Sequence, residues 1–172
     1  MSALFNMVSV STVKYADATA DGSIPATLKS ILCVSEGKFN PDFEDGTQTA
    51  ETNELNQLPF RIRKGAKSFK VTVDLPEADL DDVKAFVGGS LTGNSWTVGG
   101  SDQLTKPKYF EFTGLTVDGN PCSFKCYYAY VAAKWSGPVG QDQATVALEL
   151  TLMLATDRDP TSPKLLKYDV TV

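Results

Sequence analysis

The chain contains no histidine among its 172 residues. Histidine is the side chain used most often as a general base near neutral pH, and it completes the Ser-His-Asp and Cys-His catalytic arrangements. It is also a common ligand of zinc. Its absence argues against nucleophilic hydrolases and against most zinc enzymes. We therefore predict a protein that is not an enzyme and that has no catalytic residue, cofactor or metal site.

Cysteine is also scarce, since only Cys33, Cys122 and Cys126 are present. An odd and small number of cysteines does not supply the disulfide framework of a secreted domain. Cys122 and Cys126 would share one face of a strand, but they would lie too far apart along it to bond to each other. We interpret the three cysteines as buried thiols and expect a reducing cytoplasm.

Long hydrophobic runs and an excess of basic charge are missing as well. No apolar run approaches the ~20 residues that a membrane-spanning helix needs. The first residues, MSALFNMVSVSTVKY, lack the charged, apolar and cleavage regions of a signal peptide. The net charge of −5 disfavours binding to a phosphate backbone. The sequence predicts neither a membrane anchor nor a nucleic-acid reader.

The composition is that of a globular protein, with 42% hydrophobic and 22% charged residues. We treat residues 1–172 as a single domain. Turn residues separate segments rich in β-branched and alternating apolar residues, which predict an antiparallel β protein. A small hairpin is predicted at 91–98 and an edge strand near the C-terminus. The main predicted strands are 7–15, 28–34, 67–75, 109–117, 122–131 and 144–156, the last being the longest.

Two local patterns interrupt these strands. After Pro76 the apolar period changes from two to 3.6, and one stripe of a short helix is formed by Leu80, Val83, Phe86 and Val87. Asp79 is the predicted N-cap, and Gly88-Gly89 is predicted to stop the helix in the αL conformation. We expect this core helix to plug one end of a β-sandwich or barrel. Residues 135–139 (WSGPV) are predicted to form an edge or a bulge, because a Gly-Pro pair does not suit a central strand.

Residues 35–66 are different from the rest of the chain. They read SEGKFNPDFEDGTQTAETNELNQLPFRIRKGA, with scattered apolar residues and no strand or helix periodicity before RIR. A loop this long is uncommon in a compact domain and is usually functional or disordered. We predict an irregular arm that becomes ordered by contact with other copies of the protein. The predicted interface residues are Phe39, Phe43, Glu44, Asp45, Glu51, Glu54, Leu55, Leu58, Phe60, Arg61 and Arg63.

Other groups that could carry chemistry have simpler interpretations. The arm lacks the ligand spacing of an EF-hand. Asp79, Asp81 and Asp82 suit the start of a helix better than a metal site. Tyr127, Tyr128 and Tyr130 could stack on bases. Without a basic groove beside them, packing within a strand explains these tyrosines better.

The order of elements and several phrases resemble a bacteriophage major tail tube protein. The phrases that carry the resemblance cover residues 22–156 and leave a C-terminal extension at 157–172. In chain order they are DGSIPATLKSILCV, SEGKFNPDFEDGTQTAETNE, FKVTVDLPEADLDDVKAFVGG, LTGNSWTV, FEFTGLTVDGNPCSFKCYYAYVA and ATVALELTLMLAT.

The resemblance implies a fold similar to phage tail tubes and to the tube of type VI secretion. That fold is a mainly β, antiparallel sandwich or barrel with one short flanking helix and a long arm between subunits. Copies would form stacked, hexameric rings in a phage tail that is assembled in the host cytoplasm. The implied partners are further copies of the chain, tape measure, tail terminator and baseplate or adaptor proteins. DNA would pass through the lumen without specific binding. An isolated immunoglobulin-like or capsid-decorating binding module is the alternative.

Overall fold

The described structure is a set of antiparallel strands with one short helix, α1 (Leu80–Val87). The computed structural model describes residues 7–31, 38–52, 59–65, 67–76, 78–99, 106–136, 145–158 and 164–171. The predicted fold class, mainly β and antiparallel with one short helix, is confirmed. The strands are β1 Met7–Asp17, β2 Lys29–Ile31, β3 Asn40–Glu44, β4 Gln48–Thr52, β5 Pro59–Lys64, β6 Ser68–Leu75, β7 Ser90–Thr92, β8 Ser95–Thr97, β9 Lys108–Thr116, β10 Pro121–Ser136, β11 Thr145–Leu152 and β12 Leu166–Val170.

Eight strands form one sheet in the order β2-β1-β9-β10-β11-β6-β3, with β12 added beside β10. The sheet curls back on itself. The ring of Phe43 on β3 lies 6.3 Å from that of Phe124 on β10, although β11 and β6 separate the two strands in the sheet order. This curvature gives the sandwich-like or barrel-like form that the sequence predicts.

The sixteen-residue strand β10 holds the curled sheet together. Its first half pairs with β9 on one side and with β12 on the other, whereas its second half pairs with β11. The prediction that 144–156 is the longest strand is therefore wrong, because β11 has eight residues. Trp135 and Ser136 continue β10 and pair with Val146 and Thr145 of β11. No other described strand pairs with them, so the edge predicted for 135–139 is confirmed at these two residues. Residues 137–139 lie outside the described residues.

The core forms on the inward face of the alternating strands. On β6 the inward side chains are Val71, Val73 and Leu75, all fully buried. The inward residues of β11 are buried in the same way, as the alternation predicts. Leu154 lies within the predicted strand 144–156, but it follows the end of β11 and is 40% exposed.

Helix α1 begins with a reciprocal capping interaction. The carboxylate of Asp79 accepts a hydrogen bond from the Asp82 backbone N–H at 2.8 Å, and the Asp82 carboxylate accepts one from the Asp79 N–H at 3.0 Å. These bonds satisfy two N–H groups that have no partner within the helix. Gly88 ends the helix with φ 90° and ψ −165°, a conformation confined to glycine but different from the predicted αL stop.

The helix covers one end of the sheet through its aromatic residue. The ring of Phe86 lies 4.6 Å from that of Tyr15 on β1 and 5.9 Å from that of Phe110 on β9. Val83 is buried beside Phe86, while Leu80 and Val87 are partly buried. The next hairpin, β7–β8, is present as predicted, and its Trp96 donates a hydrogen bond from Nε1 to the Gly88 carbonyl at 2.9 Å.

The prediction of an irregular arm at 35–66 is wrong for three segments. Strand β3 joins the main sheet beside β6, and β4 and β5 pair with each other in a separate hairpin. The Gly65 N–H donates to the Thr47 carbonyl at 2.8 Å and closes the base of that hairpin. The alternation of Phe39, Pro41 and Phe43 with polar residues is a short strand pattern, which the carboxylates and the proline obscured. Residues 32–37, 53–58 and 66 lie outside the described residues.

Candidate functional site

The first predicted interface residues pack against their own chain. Phe39 is partly buried, with its ring 4.7 Å from that of Phe112 and 5.8 Å from that of Phe124. Phe43 lies 5.3 Å from Phe69 but remains 41% exposed. Because β3 pairs with β6 and these two rings contact Phe69, Phe112 and Phe124, the segment 39–44 belongs to the body of the protein. A role for either residue at a subunit interface stays a prediction.

The charged residues predicted at the interface lie in three places. Glu44 is exposed on β3, and Asp45 follows it in an exposed ion pair with Lys67 at 2.7 Å. In the β4–β5 hairpin, the backbone register pairs Glu51 with Arg61. Phe60 and Arg63 are residues of strand β5. Glu54, Leu55 and Leu58 lie outside the described residues.

A polar face that the sequence did not single out covers part of the main sheet. We call the second half of β10 (residues 129–136) with β11, β6 and β3 the four-strand layer. The side chains that point away from the core on this layer form rows across it, and none of them is buried. The rows are Asp42, Lys70, Thr151 and Tyr130; then Asn40, Thr72, Glu149 and Ala132; then Asp74, Ala147 and Lys134.

The outward face of the four-strand layer is acidic on balance. Its described side chains include the lysines Lys70 and Lys134, against a larger set of carboxylates. Lys70 Nζ lies 3.0 Å from Glu149 Oε1, and this hydrogen bond raises the pKa of Lys70 above its ordinary value. The lysine therefore stays protonated at neutral pH and is already engaged by a carboxylate. The carboxylates are Asp42, Glu44, Asp74 and Glu149.

Both edges of the four-strand layer are open within the described chain. At one edge, β3 pairs with β6 and with no other described strand. At the other edge, β9 accompanies β10 only as far as the pair Lys108 and Ala129. Beyond Ala129, no described strand pairs with the side of β10 that faces away from β11. An open strand edge presents unpaired N–H and C=O groups that can accept another strand.

A buried carboxylate lies elsewhere, where α1 meets β1 and β2. Asp82 is 2% exposed, accepts a hydrogen bond from the hydroxyl of Tyr15, and has Oδ1 2.7 Å from Lys29 Nζ. Lys29 also reaches Asp79 at 2.9 Å. Burial, followed by the hydrogen bond to Asp82, raises the pKa of Tyr15, which therefore remains a hydrogen-bond donor. We call Tyr15, Lys29, Asp79 and Asp82 the capping cluster. Its members satisfy one another, as a stabilising contact requires.

The described cysteines are buried, and the described acidic side chains form no group that could hold a metal ion. Cys122 and Cys126 are free and buried, and burial raises the pKa of the Cys126 thiol well above its ordinary value. A thiol in this environment is a poor nucleophile. The described residues contain no group of three or more histidine, cysteine, aspartate or glutamate side chains that could hold a metal ion. They also contain no helix of the length and apolarity needed to cross a bilayer.

No protein-family profile matches the chain, and a search of curated protein sequences finds no match.

Proposed function

We propose that the protein is a structural subunit that polymerises head-to-tail into rings, and that these rings stack into the hollow tail tube of a bacteriophage. The observation that carries the proposal is the four-strand layer, which is open at both edges within the described chain and acidic on its outward face. The resemblance of residues 22–156 to tail tube proteins supplies the biological setting. DNA would pass through the tube during ejection.

The open edges support assembly into a closed ring. An isolated β domain normally protects an exposed edge, because such an edge pairs readily with other strands. A repeated contact between two different surfaces produces a ring if the rotation closes, or a filament if it does not. In a closed ring of copies, both edges of every layer would be paired, and the sheet would have no free edge left.

The charge of the outward face supports its position along the channel. Tight binding to DNA requires lysine or arginine side chains that neutralise phosphates and release counterions. On this face, Asp42, Glu44, Asp74 and Glu149 outnumber the two lysines, and Lys70 is already paired with Glu149. A channel wall of this composition would repel the phosphate backbone, so DNA could move without adhering.

The β4–β5 hairpin supports contact between rings. It forms a two-stranded sheet of its own, separate from the main sheet. Isolated two-stranded hairpins are marginally stable in water and need packing against another surface. A neighbouring ring would supply that surface. The assembly role that the sequence predicts for the arm would then belong to this hairpin.

Electron microscopy of the purified protein over a range of concentrations tests the proposal. We expect annular particles and tubes with a central channel, whose fraction grows with protein concentration because assembly follows mass action. Sedimentation velocity on the same samples measures the distribution of oligomers. A protein that remains a monomer at every concentration would overturn the proposal and favour the binding module, in which an open edge would receive a strand from a different protein.

A further inference from the structure

A surface cavity of about 480 Å³ lies where three connecting segments meet. They are residues 21–23 between β1 and β2, residues 155–158 after β11, and Lys164 before β12. Sites for small ligands occupy about 300–1,000 Å³, so the cavity has room for one. None of the residues that line it belongs to the four-strand layer. A ligand at this place would therefore go beyond the proposed function.

Contacts within the chain fix the walls of the cavity. The Asp157 N–H donates to the Ala20 carbonyl at 2.9 Å and joins two of the segments. Gly22, with φ 74°, lies so close to Ala155 that a Cβ on the glycine would be 3.0 Å from the alanine Cβ. Walls held in this way are formed before a ligand arrives, which reduces the entropy lost on binding.

Two cations line the cavity, and contacts with their own chain position both of them. Arg158 Nη1 donates to the Ala155 carbonyl at 3.2 Å. Lys164 Nζ lies 5.7 Å from the centre of the Tyr127 ring, which is a cation–π distance. Neither cation forms an ion pair with a carboxylate of the described residues. Within the described chain, their charges are therefore available to a bound anion.

Two carboxylates in the same cavity limit the charge of that anion. Asp21 and Asp157 balance the two cations, so the site is formally neutral. Asp21 Oδ1 accepts a hydrogen bond from the Ser23 N–H at 3.0 Å, which lowers the pKa of Asp21 and keeps it ionised at neutral pH. Both aspartates would repel a doubly charged phosphate about twice as strongly as a singly charged carboxylate. A planar carboxylate also matches the donor fork of an arginine.

We propose that this cavity binds a carboxylate group, with the Arg158 guanidinium on its two oxygens and the Lys164 ammonium beside them. The guanidinium has five N–H donors, so those that do not contact Ala155 would supply the paired hydrogen bonds. Two sources present this group: a free organic acid, and an aspartate or glutamate side chain of another protein. The shared chemistry defines the site, and the probes below distinguish the sources.

Saturation-transfer NMR observed on the ligand tests the site, because it detects weak binding whether the protein is a monomer or an assembly. The probes are acetate, a free carboxylate, and N-acetyl-aspartate methylamide, which carries the group on a peptide. Ionic strength is held constant, and inorganic phosphate is the competitor. We expect saturable binding, with weaker competition by phosphate than by acetate. A dissociation constant at least about threefold lower for the peptide probe would identify a protein side chain as the source, and equal constants a free acid.

Variants at the two cations separate the donor fork from its charge. Arg158→Lys keeps the charge but loses the paired donors, so it should weaken binding of the peptide probe by at least about fivefold. Lys164→Gln removes a charge and should weaken binding by at least about threefold, whereas Lys164→Arg should retain it. The control Lys84→Gln removes an exposed charge on α1 and should change nothing. Thermal melts establish that each variant is folded, and Lys164→Gln carries the test if Arg158→Lys is not.

Three results would overturn the carboxylate site. They are probe signals that never saturate, equal binding by the unmodified protein and the folded variants, and tighter binding of phosphate than of either carboxylate. The proposed function would stand in each case, because the lining residues are not part of the four-strand layer. Failure of the protein to form tubes would overturn the proposed function and leave this site unaffected.

Discussion

Replacing Asp82 by asparagine should measure how strongly the capping cluster fixes α1 to the sheet. The side chain keeps its shape but has one acceptor oxygen. Tyr15 donates to Oδ1 of Asp82 and the Asp79 backbone N–H donates to Oδ2, so one of these two donors would face an amide NH2 group and lose its acceptor. The negative charge 2.7 Å from Lys29 Nζ also disappears, inside a site where Asp82 is 2% exposed. Hydrogen bonds to charged groups contribute about 1.5–3 kcal/mol.

The expected cost can be bounded from the geometry. Removing one partner of a fully buried ion pair costs about 3–5 kcal/mol. Lys29 retains Asp79 and its side chain is 41% exposed, so the orphaned ammonium is partly relieved by a carboxylate and by water. We therefore expect Asp82→Asn to lower the free energy of unfolding by about 1.5–3 kcal/mol, near the range for one charged hydrogen bond. In a chain of this size, that corresponds to a fall in melting temperature of roughly 3–12 °C.

Urea unfolding of a double-mutant cycle provides the measurement. Asp82→Asn, Tyr15→Phe and the double variant give the coupling between carboxylate and hydroxyl, which should be at least about 0.5 kcal/mol for groups in direct contact. Asp81→Asn is the matched control, since this neighbouring carboxylate is exposed and should change stability by no more than about 0.5 kcal/mol. A cost for Asp82→Asn equal to that of the control, with no coupling to Tyr15, would refute the assignment of the cluster as a structural anchor.

Three further predictions concern the arm, the sheet and acid stability. Replacing Gln48–Lys64 by two glycines should leave the melting temperature nearly unchanged while abolishing tubes in micrographs, because Thr47 and Gly65 already meet at 2.8 Å. Gly114→Ala should lower the free energy of unfolding in urea by about 1–3 kcal/mol, because the new Cβ would lie 1.7 Å from the Ser9 carbonyl oxygen. Partial burial raises the pKa of Asp79, but the Asp82 backbone N–H and Lys29 outweigh it and lower the pKa overall. The stabilisation that results from the lowered pKa is present above the ordinary aspartate pKa and is lost as the pH falls through the lower folded value. The difference in the free energy of unfolding between the unmodified protein and Lys29→Met should therefore shrink below about pH 4.

Strong periodicity made the central part of the fold predictable. The alternation in 67–75 matched β6, and the turn between 117 and 122 matched the β9–β10 hairpin. The 3.6-residue period and its N-cap matched α1. Each signal is local, so the sequence alone carries it. The continuation of β10 beyond Val131 through Trp135 was missed because its pairing with β11 is not local.

The capping cluster and the outward face were missed for a different physical reason. Lys29 and Asp82 are 53 positions apart in the chain, and they meet only because β2 and α1 lie at the same end of the sheet. Likewise, Asp42 and Lys134 acquire meaning only once the strand order places them at opposite edges of one layer. A charge pattern along a sequence does not contain this arrangement, although the outward positions of β6 and β11 were readable from their alternation.

The pairing of β3 with β6 changes how the arm can act in assembly. Excising all of residues 40–57 would remove the strand beside β6 and the ring of Phe43, so loss of tubes could result from damage to the body. Excising only Gln48–Lys64 leaves that strand in place. In the proposed assembly, the arm would contain two parts with separable effects: an edge strand, whose charges would act on contacts within a ring, and a hairpin that would act on contacts between rings. Charge reversal on β3 should reduce ring formation itself, whereas loss of the hairpin should leave single rings that do not stack.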